Sequence, residues 1–248
     1  MHTVFRFLRQ LLLTVLLLAL LTLVAAGGYF AVTGHKLYES AIQVTPIDTL
    51  YSSISSREGF VPYAQLPQTY INAVISAEDS RFTHHKGVDP VSIARALVTD
   101  LRTGSFAEGG STITQQLAKN TLFTQEKHLA RKAAEMFAAL AIEKQYNKEQ
   151  IFEMYVNTIY FGSGHYGIGE AAQGYFGKTP LQLTDAEAVM LAGLPNAPSA
   201  YSPNSRPDLA VKRMQVVLNR MVGCKKLTRE QADALAAEAV TLQFLPAS

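Results

Sequence analysis

Residues 109–120 read GGSTITQQLAKN, a run that combines a turn, a helix start and a candidate binding face. The two glycines let the backbone pass close to a ligand because no Cβ intervenes. Thr112 followed three residues later by Gln115 is a capping-box pattern, which predicts a helix start with N–H groups open to a ligand. Gln115 and Lys119 lie one turn apart on the same face, beside Gln116. This arrangement suits an anion such as a phosphate. An ordinary capped helix is the alternative, and the residue order of a Walker loop is absent.

A second run, EDSRFTHHKG at 78–87, follows a predicted amphipathic helix. Adjacent helical residues point about 100° apart, so Glu78 and Asp79 cannot face the same ligand atom. We expect one of them to take part in the chemistry and the other to have a structural role. The alternative is that both belong to a solvated acidic helix end. His84 and His85 lack the i, i+4 spacing of a zinc pair, which argues against a metal site made from them.

A third run, RKAAE at 131–135, places Arg131 and Glu135 on one helix face. An exposed ion pair in this orientation contributes only a few tenths of a kcal/mol. A substrate-facing pair of guanidinium and carboxylate is an equally good interpretation.

The N-terminus predicts a membrane anchor. Arg6 and Arg9 precede an uncharged stretch at 10–34, which makes a helix of roughly 37 Å against a hydrocarbon core of about 30 Å. A cleaved signal peptide is the alternative, since residues 24–26 are small. The apolar run exceeds the usual signal core of roughly 7–15 residues, which favours a retained anchor. The two arginines should stay cytoplasmic, with everything after Gly34 outside.

Composition narrows the function classes. A net charge of +2 gives no case for nucleic-acid binding. Cys224 is the single cysteine, so no intrachain disulfide can form. After the anchor, about 210 residues are enough for one domain with a sizeable core. Residues 35–67 look like a connector with weak strand character. We divide the chain into a cytoplasmic N-terminus (1–9), an anchor (10–34), a connector (35–54) and a globular domain (55–248).

Helical periodicity dominates from Gln68 onward, so the predicted fold class is mainly α. Thr184 and Thr228 each precede an acidic first turn and are predicted helix caps. The helices are predicted near 68–80, 90–102, 111–121, 127–145, 148–158, 165–175, 184–193, 207–223 and 228–240.

These three runs and IFEMYVNTIYFGSGHYGIGEAAQGYFGK at 151–178 together resemble the peptidoglycan glycosyltransferases of family 51, over Ser55 to Pro203. The resemblance implies a lysozyme-like, α-helical glycosyltransferase fold, with a head lobe and a jaw lobe that lies against the membrane, behind a single N-terminal transmembrane helix. It also implies a substrate, lipid II, which is a disaccharide-pentapeptide on undecaprenyl pyrophosphate.

The resemblance implies a role for each matched residue. Glu78 would be the general base that takes the proton from the acceptor GlcNAc 4-hydroxyl as it attacks C1 of the donor MurNAc, with inversion. Glu135 would be the second catalytic glutamate, on the leaving-group side, acting directly or through a divalent cation (Mg or Mn), and no tightly bound cofactor is expected. Lys119 and Arg131 would bind the donor pyrophosphate, in the site that inhibitors of the moenomycin type occupy. The matched positions that shape the site or hold the donor are Asp79, Phe82, His85, Ser111, Gln115 and Gln116.

Other matched residues are expected to be structural. Glu153 and Asn157 in the fourth motif are interpreted as scaffold residues, and residues 191–203 as a buttress of the fold. Phe106, Leu122 and Phe123 are expected to meet the bilayer, with a place in the core as the alternative.

The resemblance implies as partners lipid II, the growing glycan strand, the lipid bilayer and cell-wall synthesis proteins, at the bacterial plasma (inner) membrane. Two other functions stay open. A lytic muramidase would share the fold and a catalytic glutamate, but it would not need Lys119 and Arg131. A catalytically silent scaffold is disfavoured because every matched catalytic position is intact. The sequence stops at Ser248 without an S-x-x-K run, so we expect polymerisation without peptide cross-linking.

Overall fold

A computed structural model describes residues 2–104, 109–124 and 129–245, with side chains from residue 5 onward. The described part is mainly helical and contains no β-strand, only an isolated bridge between Tyr160 and Tyr166, so the predicted fold class is confirmed. Short 3-10 helices join several of the α-helices. The helices are α1 (His2–Val44), α2 (Leu50–Ser55), α3 (Gln68–Glu78), α4 (Pro90–Thr103), α5 (Ile113–Leu122), α6 (Leu129–Gln145), α7 (Lys148–Val156), α8 (Ile168–Phe176), α9 (Asp185–Gly193), α10 (Pro207–Gly223) and α11 (Arg229–Ala239).

The nine helices predicted after residue 67 all form, with ends that differ by up to three residues. Capping boxes begin α5 at Thr112, α9 at Thr184 and α11 at Thr228, as predicted. The largest difference is α8, which begins at Ile168 instead of 165. The preceding residues turn through positive φ, ending with Gly167 at 83°, a conformation that glycine adopts without a steric penalty.

The prediction of strand character for residues 35–67 is wrong. Helix α1 continues to Val44 and packs beside α6, and α2 follows shortly after. The buried or partly buried positions on this part of α1 recur at helical spacing: Gly34, Leu37, Tyr38, Ala41 and Ile42. Packing against α6 therefore decides the conformation where local propensity is weak. At Gly34 the approach is close, since an added Cβ would lie 2.5 Å from the Cβ of Ala133.

The core surrounds α9, which is buried along almost its whole length. An apolar helix of this kind needs neighbours on every side, and α9 packs against α3, α8, α10 and α11. Its buried acidic residue, Glu187, is neutralised by Lys178 at 2.7 Å. Helix α3 also packs on α10, and α5 packs on α6 and α7. This arrangement brings the end of α3 close to the start of α5 and to the middle of α10.

The N-terminal helix is long and apolar enough to cross a membrane, judged by its length and composition. The segment Phe5–Val44 has a mean hydropathy of 2.5 in its most apolar window, and none of that window is buried inside the protein. An unpacked apolar surface of this length is what a lipid environment would cover.

Candidate active site

Glu78 is the last residue of α3, because the backbone leaves the helical conformation at Asp79 (φ −155°, ψ 76°). The Oε2 atom of Glu78 accepts a hydrogen bond from Nε2 of Gln116 at 2.9 Å. Its Oε1 atom lies 3.6 Å from Nη2 of Arg213, which reaches across from α10. Arg220, also on α10, donates to the carbonyl oxygen of Ala77 at 2.7 Å. Helices α5 and α10 therefore fix the carboxylate from two sides.

Asp79 points in the other direction, into the protein. Its Oδ2 atom accepts from Nε2 of His85 at 2.8 Å and from the backbone N–H of Ile113 at 3.0 Å. The N–H of Gly87 donates to Nδ1 of His85, which leaves Nε2 as the protonated nitrogen of a neutral ring. The predicted divergence of Glu78 and Asp79 is therefore confirmed, and Asp79 ties the turn after α3 to the first turn of α5.

The expectation that free amides at the start of α5 bind an anion is wrong for the amides of Ile113 and Gln115. The first is taken by Asp79, and the second donates to Oγ1 of Thr112. The side chain of Gln115 is only 1% exposed and accepts from the N–H of Thr112. The positive end of this helix is already neutralised by a protein carboxylate, because Asp79 occupies the place that a ligand anion would take.

Phe82 and His85 are also buried, so they support the site from the protein interior. The ring of Phe82 packs against that of Phe152, and Nζ of Lys148 lies 4.5 Å from its centroid. Nothing in this position exposes Phe82 to a ligand. Phe82, His85 and Gln115 therefore hold the backbone of the site, and the cleft itself is lined by other side chains.

Glu135 is the centre of a cationic cluster. Its side chain is 2% exposed, with Oε1 lying 3.0 Å from Nε of Arg131 and Oε2 lying 2.8 Å from Nζ of Lys132. Lys132 also donates to Oγ of Ser111 at 2.6 Å, which connects α6 to the glycine turn before α5. The ion pair between Arg131 and Glu135 is thus formed, and it is buried. Because a cationic group faces each carboxylate oxygen, the residues present do not fit a divalent cation at Glu135.

Lys119 lies between the cationic cluster and Glu78. Burial lowers the pKa of Lys119, and the nearby positive charges of Lys132 and Arg131 act in the same direction. The negative charges of Glu135 and Glu78 oppose this effect. Within the described parts of the chain, no carboxylate lies within ion-pair distance of the Lys119 ammonium group, which is half-buried at the wall of a cavity.

Two cavities meet at Glu78. The first, of about 390 Å³, is walled in part by Asp79, Ser80, Arg95, Ser111 and Cys224. The second, of about 260 Å³, is walled in part by Gln116, Lys119, Asn196, Arg213 and Arg220. A third, of about 480 Å³, shares Gln116, Lys119 and Asn196 with the second and continues to Tyr160 and Tyr166. Glu78 therefore lies where the first two cavities join to form one cleft. The wall of the second cavity is strongly cationic, because it contains Lys119, Arg213 and Arg220.

The sequence analysis missed Lys132, Asn196, Arg213 and Arg220. Lys132 lies three residues before Glu135, so its place on the same helix face was open to prediction. Arg213 and Arg220 are seven residues apart and share a face of α10, but no local pattern relates that face to α3. Asn196 lies in the segment interpreted as a buttress, although it also lines the cleft.

The scaffold residues of the fourth motif act as predicted. Glu153 accepts from the N–H of Tyr63 at 2.6 Å, and Asn157 bonds both the N–H and the carbonyl oxygen of Val61. These contacts fasten the segment before α3 to α7.

Of the residues expected to meet the bilayer, Phe106 lies outside the described residues. Leu122 and Phe123 are partly buried against the core, which supports the alternative that they are core residues.

Comparison with known proteins gives one family. Residues 45–222 match the family described as Transglycosylase. The chain is 44% identical over 195 residues to penicillin-binding protein 1A of Aquifex aeolicus, covering 78% of this chain and 27% of that protein. It is 47% identical over 180 residues to penicillin-binding protein 1A of Escherichia coli, covering 73% of this chain and 21% of that protein. A crystal structure of penicillin-binding protein 1A from Haemophilus influenzae aligns with 76% of this chain and 18% of its own, at 25% identity and a TM-score of 0.46. The chain therefore spans about a quarter of the length of these relatives.

Proposed function

This chain belongs to the transglycosylase family, and we propose that it is a peptidoglycan glycosyltransferase that polymerises lipid II into linear glycan strands. In the proposed step, the 4-hydroxyl oxygen of the acceptor GlcNAc attacks C1 of the donor MurNAc. The bond from C1 to the phosphate oxygen breaks, undecaprenyl pyrophosphate leaves with the electron pair, and the hydroxyl proton passes to a base. The configuration at C1 inverts from α to β.

Glu78 is the proposed base. An alcohol is a poor nucleophile, so removal of its proton by a positioned carboxylate contributes roughly 10²–10⁴-fold to the rate. The carboxylate faces the cleft, and both of its close contacts, with Gln116 and with Arg213, are with groups that bind the ionised form. Ionised glutamate is the form that can accept a proton.

The cationic side of the cleft is the proposed site of the donor pyrophosphate. Arg131 and Lys132 both pair with Glu135, and Lys119 lies near enough to be affected by all three charges, so among the described residues of this cluster the positive charges outnumber the negative one. Negative charge develops on the leaving phosphate oxygen as the bond to C1 breaks, and preorganised cations stabilise it. In this assignment Glu135 acts by holding Arg131 and Lys132 in place.

The observation that carries the proposal is the position of Glu78 at the junction of two cavities. A displacement between two sugars needs a base that reaches the acceptor hydroxyl while the donor carbon lies next to it. We assign the cavity walled by Lys119 and Arg213 to the donor, and the larger cavity beside Ser80 and Arg95 to the acceptor.

Membrane attachment through α1 fits a lipid-linked substrate. We assign α1 to the bacterial plasma (inner) membrane, with Arg6 and Arg9 on the cytoplasmic side and the cleft outside. Lipid II, the growing glycan strand and the bilayer are then the direct partners, and other cell-wall synthesis proteins are expected neighbours.

Turnover of labelled lipid II by the full chain in detergent or liposomes tests the proposal. Glu78→Gln keeps nearly the same shape and removes the base, so we expect at least a tenfold loss of polymerisation with an unchanged melting temperature. Glu149→Gln, an exposed residue in the first turn of α7, is the matched control and should stay active.

Retention of more than about a tenth of the activity by Glu78→Gln would exclude Glu78 as the base. Release of muropeptides from cell-wall sacculi by the unmodified chain, without polymerisation, would instead indicate a lytic muramidase.

A further inference from the structure

A chain of two hydrogen bonds connects a buried tyrosine to the proposed base. The hydroxyl of Tyr155 donates to Oε1 of Gln116 at 3.2 Å, and Nε2 of the same amide donates to Oε2 of Glu78 at 2.9 Å. Tyr155 comes from α7 and is fully buried, whereas Gln116 comes from α5 and lines the cleft. The hydrogen bond that Glu78 accepts from α5 is therefore supported on its far side by a residue of the core.

The orientation of this amide follows from its two neighbours. A carboxylate only accepts hydrogen bonds, so Gln116 must present its NH₂ group to Glu78. The carbonyl end of the amide then faces the core, where Tyr155 supplies the donor that it needs. Without that donor, Oε1 of Gln116 would be left without a partner at the edge of the core, a loss that rotation of the side chain would relieve. Rotation would also break the bond to Glu78.

Tyr155 is suited to act as a permanent donor. Burial is the main cause that raises the pKa of its hydroxyl well above the usual value, and the negative charge of Glu78 adds to it. The hydroxyl therefore keeps its proton at every working pH. Tyr70 is equally buried near Glu78, but among the described residues its hydroxyl has no hydrogen-bond partner, so it offers no second link.

We propose that Tyr155 is a positioning residue for Glu78, acting through the Gln116 amide to keep the carboxylate hydrogen-bonded and aimed at the acceptor hydroxyl. The inference rests on the proposed function, because it takes Glu78 as the base. Among the described residues, the other charged or titratable groups around Glu78 are Arg213 and Arg220 from α10, Lys119 from α5, and Tyr70 and Asp79 from the same segment as the proposed base. A change at Tyr155 leaves all of these in place.

Tyr155→Phe in the full chain tests the inference, with Tyr175→Phe as the matched control. Tyr175 is equally buried, and its hydroxyl donates to the carbonyl oxygen of Phe161 at 3.0 Å. Each change removes one buried hydroxyl and one hydrogen bond, but only the first reaches the base. For Tyr155→Phe we expect kcat to fall about 3- to 10-fold at neutral pH, with KM changed less than about twofold. The acid limb of the pH–rate profile should move to higher pH, because the hydrogen bond from Gln116 to the Glu78 carboxylate is weakened.

Tyr175→Phe should lower the melting temperature without moving the acid limb. An acid limb that does not move in Tyr155→Phe, or one that moves equally in both variants, would overturn the inference. Gln116→Met removes the same link without a change in the core. The acid limb of its pH–rate profile must also move to higher pH. In the Gln116→Met background, Tyr155→Phe should produce no additional shift.

The outcomes separate the two proposals. If Glu78→Gln retains activity, the proposed base is wrong whatever Tyr155 does. If Glu78→Gln is inactive while the acid limb of Tyr155→Phe and of Gln116→Met stays in place, the base is correct and the positioning role is wrong.

Discussion

Nη2 of Arg213 lies 3.6 Å from Oε1 of Glu78, and both side chains are about nine-tenths buried. Arg213 is further held by the carbonyl oxygen of Gly193 and lies over the ring of Tyr201. Burial lowers the pKa of Arg213, and the charge of Glu78 opposes that effect. A guanidinium so placed lines the proposed donor cavity and faces the proposed base at the same time.

Arg213→Gln should therefore impair both donor binding and catalysis. Loss of a charge-assisted contact in a buried site lowers kcat/KM by about 10- to 100-fold. An inhibitor of the moenomycin type should bind less tightly as well. The measurements are lipid II turnover and inhibitor titration, with Arg229→Gln on the exposed face of α11 as control. Wild-type kcat/KM in Arg213→Gln would show that the contact with Glu78 is incidental.

Lys119 should give donor binding an alkaline limit. Its pKa is lowered by burial, so the ammonium charge is lost as the pH rises through a value below the usual 10.5. Inhibitor affinity should fall across that range in the unmodified chain. In Lys119→Arg the fall should disappear, because a guanidinium stays charged. An alkaline fall of the same size in Lys119→Arg would assign the titration to another group.

The same lowered pKa has a consequence for stability. A lysine whose folded-state pKa is lowered makes the charged form unfavourable in the folded protein, so it costs stability at pH values where it is protonated. Lys119→Met should therefore leave the unliganded melting temperature at neutral pH unchanged or higher, while donor binding is lost. A clearly lower melting temperature would indicate that Lys119 supports the fold.

Asp79→Asn should destabilise the protein because the aspartate accepts from both His85 and the Ile113 amide while almost fully buried. Replacing a buried carboxylate that serves two donors costs about 2–4 kcal/mol of unfolding free energy. Denaturant unfolding of the full chain in detergent measures the effect, with the exposed Asp48→Asn as control. Equal stability of the two variants would contradict the structural role assigned to Asp79.

Gly34→Leu should separate α1 from α6, since an added Cβ would meet the Ala133 Cβ at 2.5 Å and the Ala130 carbonyl oxygen at 2.8 Å. Because Arg131 lies on the same turn of α6, we expect weaker inhibitor binding together with a lower melting temperature. Gly28→Leu is the matched control, since an added Cβ there meets nothing within 4 Å. Inhibitor affinity that is unchanged in Gly34→Leu would show that α1 does not support the donor site.

Local features of this fold could be predicted from the sequence with little error. Caps at Thr112, Thr184 and Thr228 depend on residues three positions apart, so the information is contained in a few neighbouring residues. The divergence of Glu78 and Asp79 was expected from helical rotation, and the break of the helix at Asp79 adds to it.

Contacts between distant helices could not be predicted in this way. The pairing of Arg213 with Glu78 depends on how α10 crosses α3. The binding of Asp79 to the start of α5 joins residues 34 positions apart, with α4 between them. Because the sequence does not reveal the contact between Asp79 and Ile113, the run at 109–120 predicts an open anion site. The helix over residues 35–44 was missed for a different reason, because its conformation is decided by α6, which lies about 90 residues later.

Helix α1 has no break between its apolar span and the segment that packs on α6. This continuity affects how the cleft would meet a substrate in the membrane. A flexible stem would let the cleft rotate and change its height above the lipid surface. Helix α1 instead runs without interruption from His2 to Val44, and beside Gly34 it touches the helix that carries Arg131 and Glu135. With α1 in the bilayer, the cleft is held at one height and one tilt. Under the proposed function, a lipid-linked sugar that diffuses in the same plane needs only a two-dimensional lateral search to reach the cleft.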